Sequence, residues 1–388
     1  MVPLRNLRRF LHKSFKAPRY ALKVFIRRLW ANIYYRLGSG TSSLPEAITL
    51  FLTHRCNLRC KMCGQWGDVG ATKSQEPQTF CKELPLDDFK RIVDDCVAFQ
   101  PNITLFGGEP LLYPHCVELM RYIKQKKLHC LIITNGTLLE PYAEAIVDSG
   151  LDELNVSIDG AALRHDQIRG MQGLFKKITG GLKKIQRLKK EKAKAAPLVN
   201  IQCTISKYNY LHLEELLEVA QGIGADSLTF HNLIFLEKEC LDRQKQYDAL
   251  LASSSQDWQG FDTDSGIDPE LLYEKIRAII SGKHRFSVDF YPNFSHKELL
   301  RYYFDREDMP QGHAQGHACR CLSPWIAGYI FPDGEVRPCL NFSYSFGNAA
   351  QHRFKDAWNS NRAVAFRRLL KQKKIFPACI RCTELYRY

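Results

Sequence analysis

Two hydrophobic periods alternate along most of this chain. Short runs with period-two character, "AITLFLT" (47–53), "ITLFGG" (103–108), "LHCLIIT" (128–134), "ELNVSID" (153–159), "LVNIQCTIS" (198–206) and "SLTFHNLIF" (227–235), read as strands. Between them lie segments with apolar residues at helical spacing: "LDDFKRIVDDCVAF", "CVELMRYIKQKK", "PYAEAIVDSG", "FKKITGGLKKIQRLKKEKAK" and "LHLEELLEVAQGIG". Six strands alternating with helices predict a parallel βα sheet, closed or partly closed as a barrel, over residues 46–235. The lysines from Lys176 to Lys194 then form the wet outer face of one barrel helix.

Both flanks are less regular. In residues 236–318 the clear signals are a helix at "PELLYEKIRAIIS" and the apolar "FSVDFYPN", and this stretch reads as a connecting region over the barrel mouth. Residues 319–388 read as a separate cysteine-bearing module, with "FPDG" as the turn of a hairpin and a helix in "FKDAWNSNRAVAFRRLL". At the other end, residues 1–45 form an arm. Leu22, Phe25, Ile26, Leu29, Trp30 and Ile33 recur at helical spacing among Lys23, Arg27, Arg28 and Arg36; Pro18 divides this helix from a shorter one carrying Leu4, Leu7, Phe10 and Leu11, and "GSGTSS" (38–43) reads as a linker.

Charge and composition sharpen this picture. The chain of 388 residues carries a net charge of +14, and ten of those charges are the seven Arg and three Lys of residues 1–45, which contain no acid. A charge gathered in one arm argues against a nucleic-acid groove, where it would spread over the folded body among exposed aromatics. A basic amphipathic helix with aromatics suits a peripheral contact of residues 1–36 with an anionic membrane surface. The same pattern also fits a helix packed on the body with a solvated basic face, or a mitochondrial presequence. Fourteen cysteines without a secretory h-region or an uninterrupted membrane-spanning run point to a reducing, cytoplasmic setting, where clustered thiols bind metal.

The decisive chemistry sits directly after the first strand. In "FLTHRCNLRCKMCGQW", Cys56, Cys60 and Cys63 fall within eight positions, at the carboxyl end of a strand where parallel βα folds place their ligands. Three thiolates suit a four-iron cluster with one iron left open, although zinc with a remote fourth ligand uses the same residue type. The spacing C-x3-C-x2-C resembles the signature of the radical S-adenosylmethionine (radical SAM) enzymes. So do "FGGEP" (106–110), "TNGTLL" (134–139) and "NVSIDG" (155–160), each in order after a strand, and "HDQIRG" (165–170) soon after the last. The resemblance implies a partial (β/α)6 TIM-like barrel and a SAM-binding [4Fe-4S] cluster on Cys56, Cys60 and Cys63. It further implies SAM contacts from Gly107, Gly108, Glu109 and Pro110, from Ser157 near the ribose or carboxylate region, and from Arg169 toward the carboxylate. Glycine suits such a loop because the backbone can approach a ligand closely.

The last module is similar to the auxiliary-cluster domain of the SPASM and twitch subfamilies. By that resemblance Cys321, Cys339, Cys379 and Cys382 ligate one auxiliary [4Fe-4S] cluster, with Cys319 as the alternative to Cys321 and zinc as the alternative metal. His313 and His317 read as loop residues, and Cys81, Cys96, Cys116, Cys130, Cys203 and Cys240 lack ligand spacing and read for the most part as buried thiols. The implied activity is reductive cleavage of SAM to a 5′-deoxyadenosyl radical and hydrogen abstraction, with the auxiliary cluster relaying an electron or serving structure. A flavodoxin or ferredoxin would supply the reductant. For substrate, the arm favours a lipid or other small molecule, with a ribosomal peptide second. A non-catalytic electron carrier or zinc-stabilised module is the alternative class. No catalytic acid, base or hydrogen donor is identified.

Overall fold

The computed structural model describes residues 18–73, 75–304 and 320–386. The helix anticipated around Leu4–Leu11, His313, His317 and Cys319 lie outside those residues. The first described helix, α1 (Pro18–Leu37), opens on the proline that divides the arm. Strands β1 (Ala47–Phe51), β2 (Asn102–Phe106), β3 (His129–Thr134), β4 (Glu153–Ser157), β5 (Leu198–Ile205) and β6 (Ser227–Asn232) then pair in sequence order, all parallel. This is the six-strand core that the alternation predicts.

The crossover helices bury the stripes their periodicity marks. Helix α2 (Leu86–Cys96) buries Phe89, Ile92, Val93 and Cys96, and α3 (Cys116–Gln125) buries Cys116, Leu119, Met120 and Ile123. Helices α4 (Leu139–Asp148), α5 (Ala162–Arg169), α6 (Leu174–Glu191) and α7 (Glu215–Ile223) complete the layer. The lysines of α6 are mostly exposed; Lys189 is buried and donates to the carbonyl of Pro197 at 2.7 Å. Along each strand alternate residues go under this layer. Ile48 and Leu50 of β1 join the main core, while Phe51 packs into a second cluster with Ala327, Tyr329 and Phe331.

The sheet is larger than six strands. Residues 286–293, read as part of a connecting region, hold β7 (Ser287–Tyr291), which pairs parallel with β6. A helix at Pro269–Ser281 makes this a seventh βα unit. Its signal was hidden because an insertion of short helices and turns, residues 233–268, separates β6 from that helix. On the opposite edge β8 (Ala327–Ile330) pairs parallel with β1, then β9 (Glu335–Arg337) and β10 (Gly347–Asn348) follow as antiparallel strands. The full order is β10-β9-β8-β1-β2-β3-β4-β5-β6-β7. The cysteine-bearing module is therefore not separate: it extends the barrel sheet. The β8–β9 turn is the expected "FPDG", with Gly334 at φ +85°.

The arm is also pinned. Ser42 donates to the carbonyl of Trp325 at 3.0 Å, and Asn359 bonds the Ser42 amide and carbonyl at 2.9 Å each. The "GSGTSS" stretch is thus a strap across the C-terminal module rather than a loose linker. Because β8 is the partner of β1, truncating the protein after Phe304 should leave the β1 edge unpaired. We expect such a fragment to unfold at least about 10 °C below the full chain in a thermal melt. An unchanged transition would mean that the barrel folds without β8.

Candidate functional site

The three-cysteine loop has no regular structure from Leu52 to Gly70, so neighbouring loops must hold its backbone. Those at the end of β2 do. The amides of Gly108 and Glu109 donate to the carbonyls of Thr53 and Arg55 at 2.8 and 2.9 Å. The approach is so close that a Cβ on Gly107 would sit 2.6 Å from the Thr53 oxygen, and one on Gly108 2.4 Å from that of Arg55. Glycine is needed here to let the cysteine loop's own backbone in, a reason distinct from the ligand approach expected from the sequence. Trp66 completes the clamp, its indole N–H donating to the His54 carbonyl at 2.8 Å beneath the Arg59 guanidinium.

Each of the three sulfurs receives a donor. Leu58 N and Asn135 Nδ2 approach Cys56 Sγ at 3.5 and 3.8 Å, Arg169 Nη1 approaches Cys60 Sγ at 3.7 Å, and Trp66 N approaches Cys63 Sγ at 3.4 Å. Burial raises the Cys56 thiol to about 11 and pushes Cys60 upward too, against the pull of Arg169. Without a metal Cys56 and Cys60 stay protonated at neutral pH; a bound metal would release the protons.

Arg169 ends α5, and Gly170 follows at φ +74° as its left-handed cap. Its Nε donates to Asp159 Oδ2 at 2.5 Å, and Asp159 Oδ1 accepts the Thr204 amide at 2.9 Å. Burial would lower the guanidinium's pKa, but Asp159 and Cys60 outweigh it and hold Arg169 charged. Asp159 is fully buried; losing one member of such a pair strands the other charge, at a cost of about 3–5 kcal/mol. His165 accepts the Asp159 amide at Nδ1 and is kept neutral, burial lowering its pKa to about 4.

Glu109 lies at the centre. It is fully buried, and its carboxylate accepts from the Leu111 amide (3.1 Å), the Thr134 hydroxyl (2.7 Å) and the Asn135 amide (2.7 Å). Burial raises its pKa to about 7 despite these bonds. In this structure it ties the β2 loop to the β3 loop, and so places Asn135 over Cys56. Pro110 is buried at the start of the short turn that Glu109 caps. Ser157 ends β4, partly exposed, paired in register with Gln202. Spacing gave no sign of Asp159 or Asn135 as partners of the site. They lie inside the motifs "NVSIDG" and "TNGTLL", and that position was the only signal available.

Beyond the loop, the sheet's inner face is divided by chemistry. On β4–β6, Asn200 bonds Glu153, Asn155 and Ser227, and His231 bonds Gln202, with burial lowering the His231 pKa to about 4. On β1, β2 and β8 the wall is aromatic: Phe51 stacks on Phe331 with centroids 5.0 Å apart and meets Phe106 edge-on.

A second group of thiols lines one cavity in the C-terminal module. Cys321, Cys339, Cys379 and Cys382 surround it together with Trp258, Phe342 and Glu384. All four are raised by burial, Cys379 to about 11, and Cys321 and Cys382 each feel the other thiols. Cys321 is thereby placed with the other three. Of the remaining cysteines, Cys96, Cys116, Cys130, Cys203 and Cys240 are buried and Cys81 is exposed. Cys339 also packs against the aromatic cluster of Phe51 and Phe331.

A methyl group at residue 108 must displace the Arg55 carbonyl. Gly108→Ala should therefore loosen the three-cysteine loop selectively, at about 1–3 kcal/mol. Iron analysis of the anaerobically reconstituted variant should show roughly half the wild-type content. Full iron content would show that the loop tolerates the displacement.

Comparison with known proteins agrees with this geometry. Residues 50–220 match the model of the radical SAM superfamily, and residues 319–383 that of the SPASM iron–sulfur cluster-binding domain. An AdoMet-dependent heme synthase of Methanosarcina barkeri is 35% identical over 349 residues, covering 88% of this chain and 89% of the relative. An Fe-coproporphyrin III synthase of the same organism is 26% identical over 383 residues, covering 90% and 86%. Among solved structures, SuiB of Streptococcus suis bound to S-adenosylmethionine aligns with TM-score 0.60 at 16% identity, over 92% of this chain and 73% of that one. With its parallel βα sheet, its three-thiol loop at the end of β1 and four thiols around one C-terminal cavity, the chain belongs to the radical SAM enzymes that carry a C-terminal SPASM domain, and its cofactors are SAM, a SAM-binding [4Fe-4S] cluster and auxiliary iron–sulfur chemistry.

Proposed function

We propose that this protein is a radical SAM oxidoreductase that abstracts hydrogen from a side chain of a small amphiphilic molecule, an iron tetrapyrrole bearing carboxylates. The observation that carries this reading is the near full-length similarity to a heme synthase, together with an Fe-coproporphyrin III synthase relative. The inner face offers matching chemistry. The aromatic wall of Phe51, Phe106 and Phe331 suits a flat conjugated ring, and the polar wall of Asn155, Gln202 and His231 suits its polar edge.

The residues present fit the cofactors. Thiolates that accept N–H donors suit an iron–sulfur cluster, whose charge those bonds stabilise. In this reading Cys56, Cys60 and Cys63 hold the SAM-binding cluster, and Cys321, Cys339, Cys379 and Cys382 hold one auxiliary cluster. When bound, the first supplies the electron that cleaves SAM to a 5′-deoxyadenosyl radical. Arg169 spends two of its five donors on Asp159 and Cys60, so its fork can also meet a carboxylate. Gly107, Gly108 and Pro110 would contact the SAM methionine part, Glu109 would hold their loop in place, and Ser157 would meet the ribose or carboxylate region. The apolar contact from Phe51 through Phe331 to Cys339 would lie between a substrate on the inner face and the auxiliary site. A flavodoxin or ferredoxin supplies the reductant, and the protein works in a reducing cytoplasm, with a peripheral contact to an anionic membrane through its N-terminal arm. No helix of the described residues is long and apolar enough to cross a membrane.

The test is anaerobic incubation of reconstituted, reduced protein with SAM and iron coproporphyrin III, read by liquid chromatography and mass spectrometry. We expect 5′-deoxyadenosine together with a porphyrin of altered mass, and neither from the Cys56→Ala/Cys60→Ala/Cys63→Ala variant. No 5′-deoxyadenosine from protein holding roughly eight irons would defeat the enzyme reading. Nucleoside formed with the porphyrin unchanged would defeat only the substrate.

A further inference from the structure

Helix α1 is mounted with its apolar stripe outward. Leu22, Phe25, Ile26, Leu29, Trp30 and Leu37 are 59, 54, 44, 49, 50 and 84% exposed. At 3.6 residues per turn they occupy one sector of the helix, roughly 140° wide. A stripe of this size on a soluble protein normally faces the core. Here the opposite sector does so, and it does so largely through polar groups.

The mounting is extensive. Lys23 and Arg27 donate to the carbonyls of Phe99 and Gln100 at the end of α2, and Arg28 grips Glu46 through two bonds of 3.1 and 3.2 Å. Asn32 accepts from Arg320 at 2.9 Å, Tyr35 meets Trp325 edge-on at 5.1 Å, and Ala31 is 1% exposed at the contact. At the far end Lys371 donates to the Arg36 carbonyl at 2.9 Å. The helix cannot roll to bury its stripe without breaking these bonds. Its outward face is therefore fixed, and its basic residues serve mainly as anchors to the body.

Charge says what covers that face. The seventeen residues that lead into α1 carry Arg5, Arg8, Arg9, Lys13 and Lys16 and no acid, and exposed Arg36 flanks the stripe at its other end. Cations at both ends of an outward row of Leu, Ile, Phe and Trp match a surface that is anionic above and hydrocarbon below. We propose that α1 is the membrane-facing element of this protein, lying in the plane of an anionic lipid surface with Leu22, Phe25, Ile26, Leu29, Trp30 and Leu37 inserted. This rests on the peripheral contact proposed above and names the face that makes it, with the opposite side of the helix fixing the orientation of the body.

The experiment is flotation of the full-length protein with vesicles of equal parts phosphatidylcholine and phosphatidylglycerol, beside phosphatidylcholine alone. Wild type should float with the anionic vesicles, and Phe25→Ser/Leu29→Ser/Trp30→Ser should lose about tenfold or more in partitioning. These side chains touch neither thiol group, so iron content and SAM cleavage should be unchanged. Arg5→Gln/Arg8→Gln/Arg9→Gln should weaken binding in a salt-dependent way. Equal flotation of wild type and the Ser variant would overturn the assignment of the face while leaving membrane contact standing. Failure of wild type to float would overturn both. A wild-type dimer in sedimentation that the Ser variant abolishes would make a second copy the occupant, which also overturns the proposal.

Discussion

A loop of some twenty residues without helix or strand carries the three thiols that define this enzyme, and its shape depends on backbone contacts with its neighbours. The carbonyls of Thr53 and Arg55 are taken by amides of the β2 loop, at a separation that tolerates only glycine at positions 107 and 108. Glu109 then fastens that loop to the next one through Thr134 and Asn135. From the other side, Asp159 aims Arg169 at Cys60. Four successive strand ends thus converge on one irregular segment. Pre-organisation of this kind lets a metal site form without a large ordering cost.

The same logic accounts for the unusual sheet. Because β8 pairs with β1, the C-terminal module is built onto the strand that leads into the cysteine loop. The Phe51 and Phe331 rings close the seam, and Cys339 lies against them. The module and the cysteine loop thereby share one rigid element, where a flexible linker would leave their separation variable.

Much of this was legible in the sequence, and the reasons for success and failure differ by residue. The period change from two to 3.6 located β1–β6 and their helices because each unit buries one face against the next. The three-cysteine spacing worked because its ligands are local in sequence. Pairing across long separations left no such trace. Nothing in "AGYI" says that it joins β1 some 280 residues earlier, and the insertion after β6 concealed β7. Cys321 is placed with its partners by the cavity it lines. The role of Gly107 and Gly108 depends on which backbone approaches them, and periodicity gives no information on that. The stripe of α1 was visible as a pattern, but its outward orientation depends on Glu46, Arg320 and the carbonyls of Phe99 and Gln100, which come from three distant segments.

The central claim is that three thiolates, flanked by Arg169 and Asn135, hold a cluster with one coordination position reserved for SAM. Electron paramagnetic resonance of the reduced, oxygen-free Cys321→Ala/Cys339→Ala/Cys379→Ala/Cys382→Ala protein, which isolates the three-thiol site, tests it most directly. The account predicts a four-iron signal whose line shape changes when SAM is added. A signal indifferent to SAM, or a site that takes up zinc and gives no signal, would contradict it.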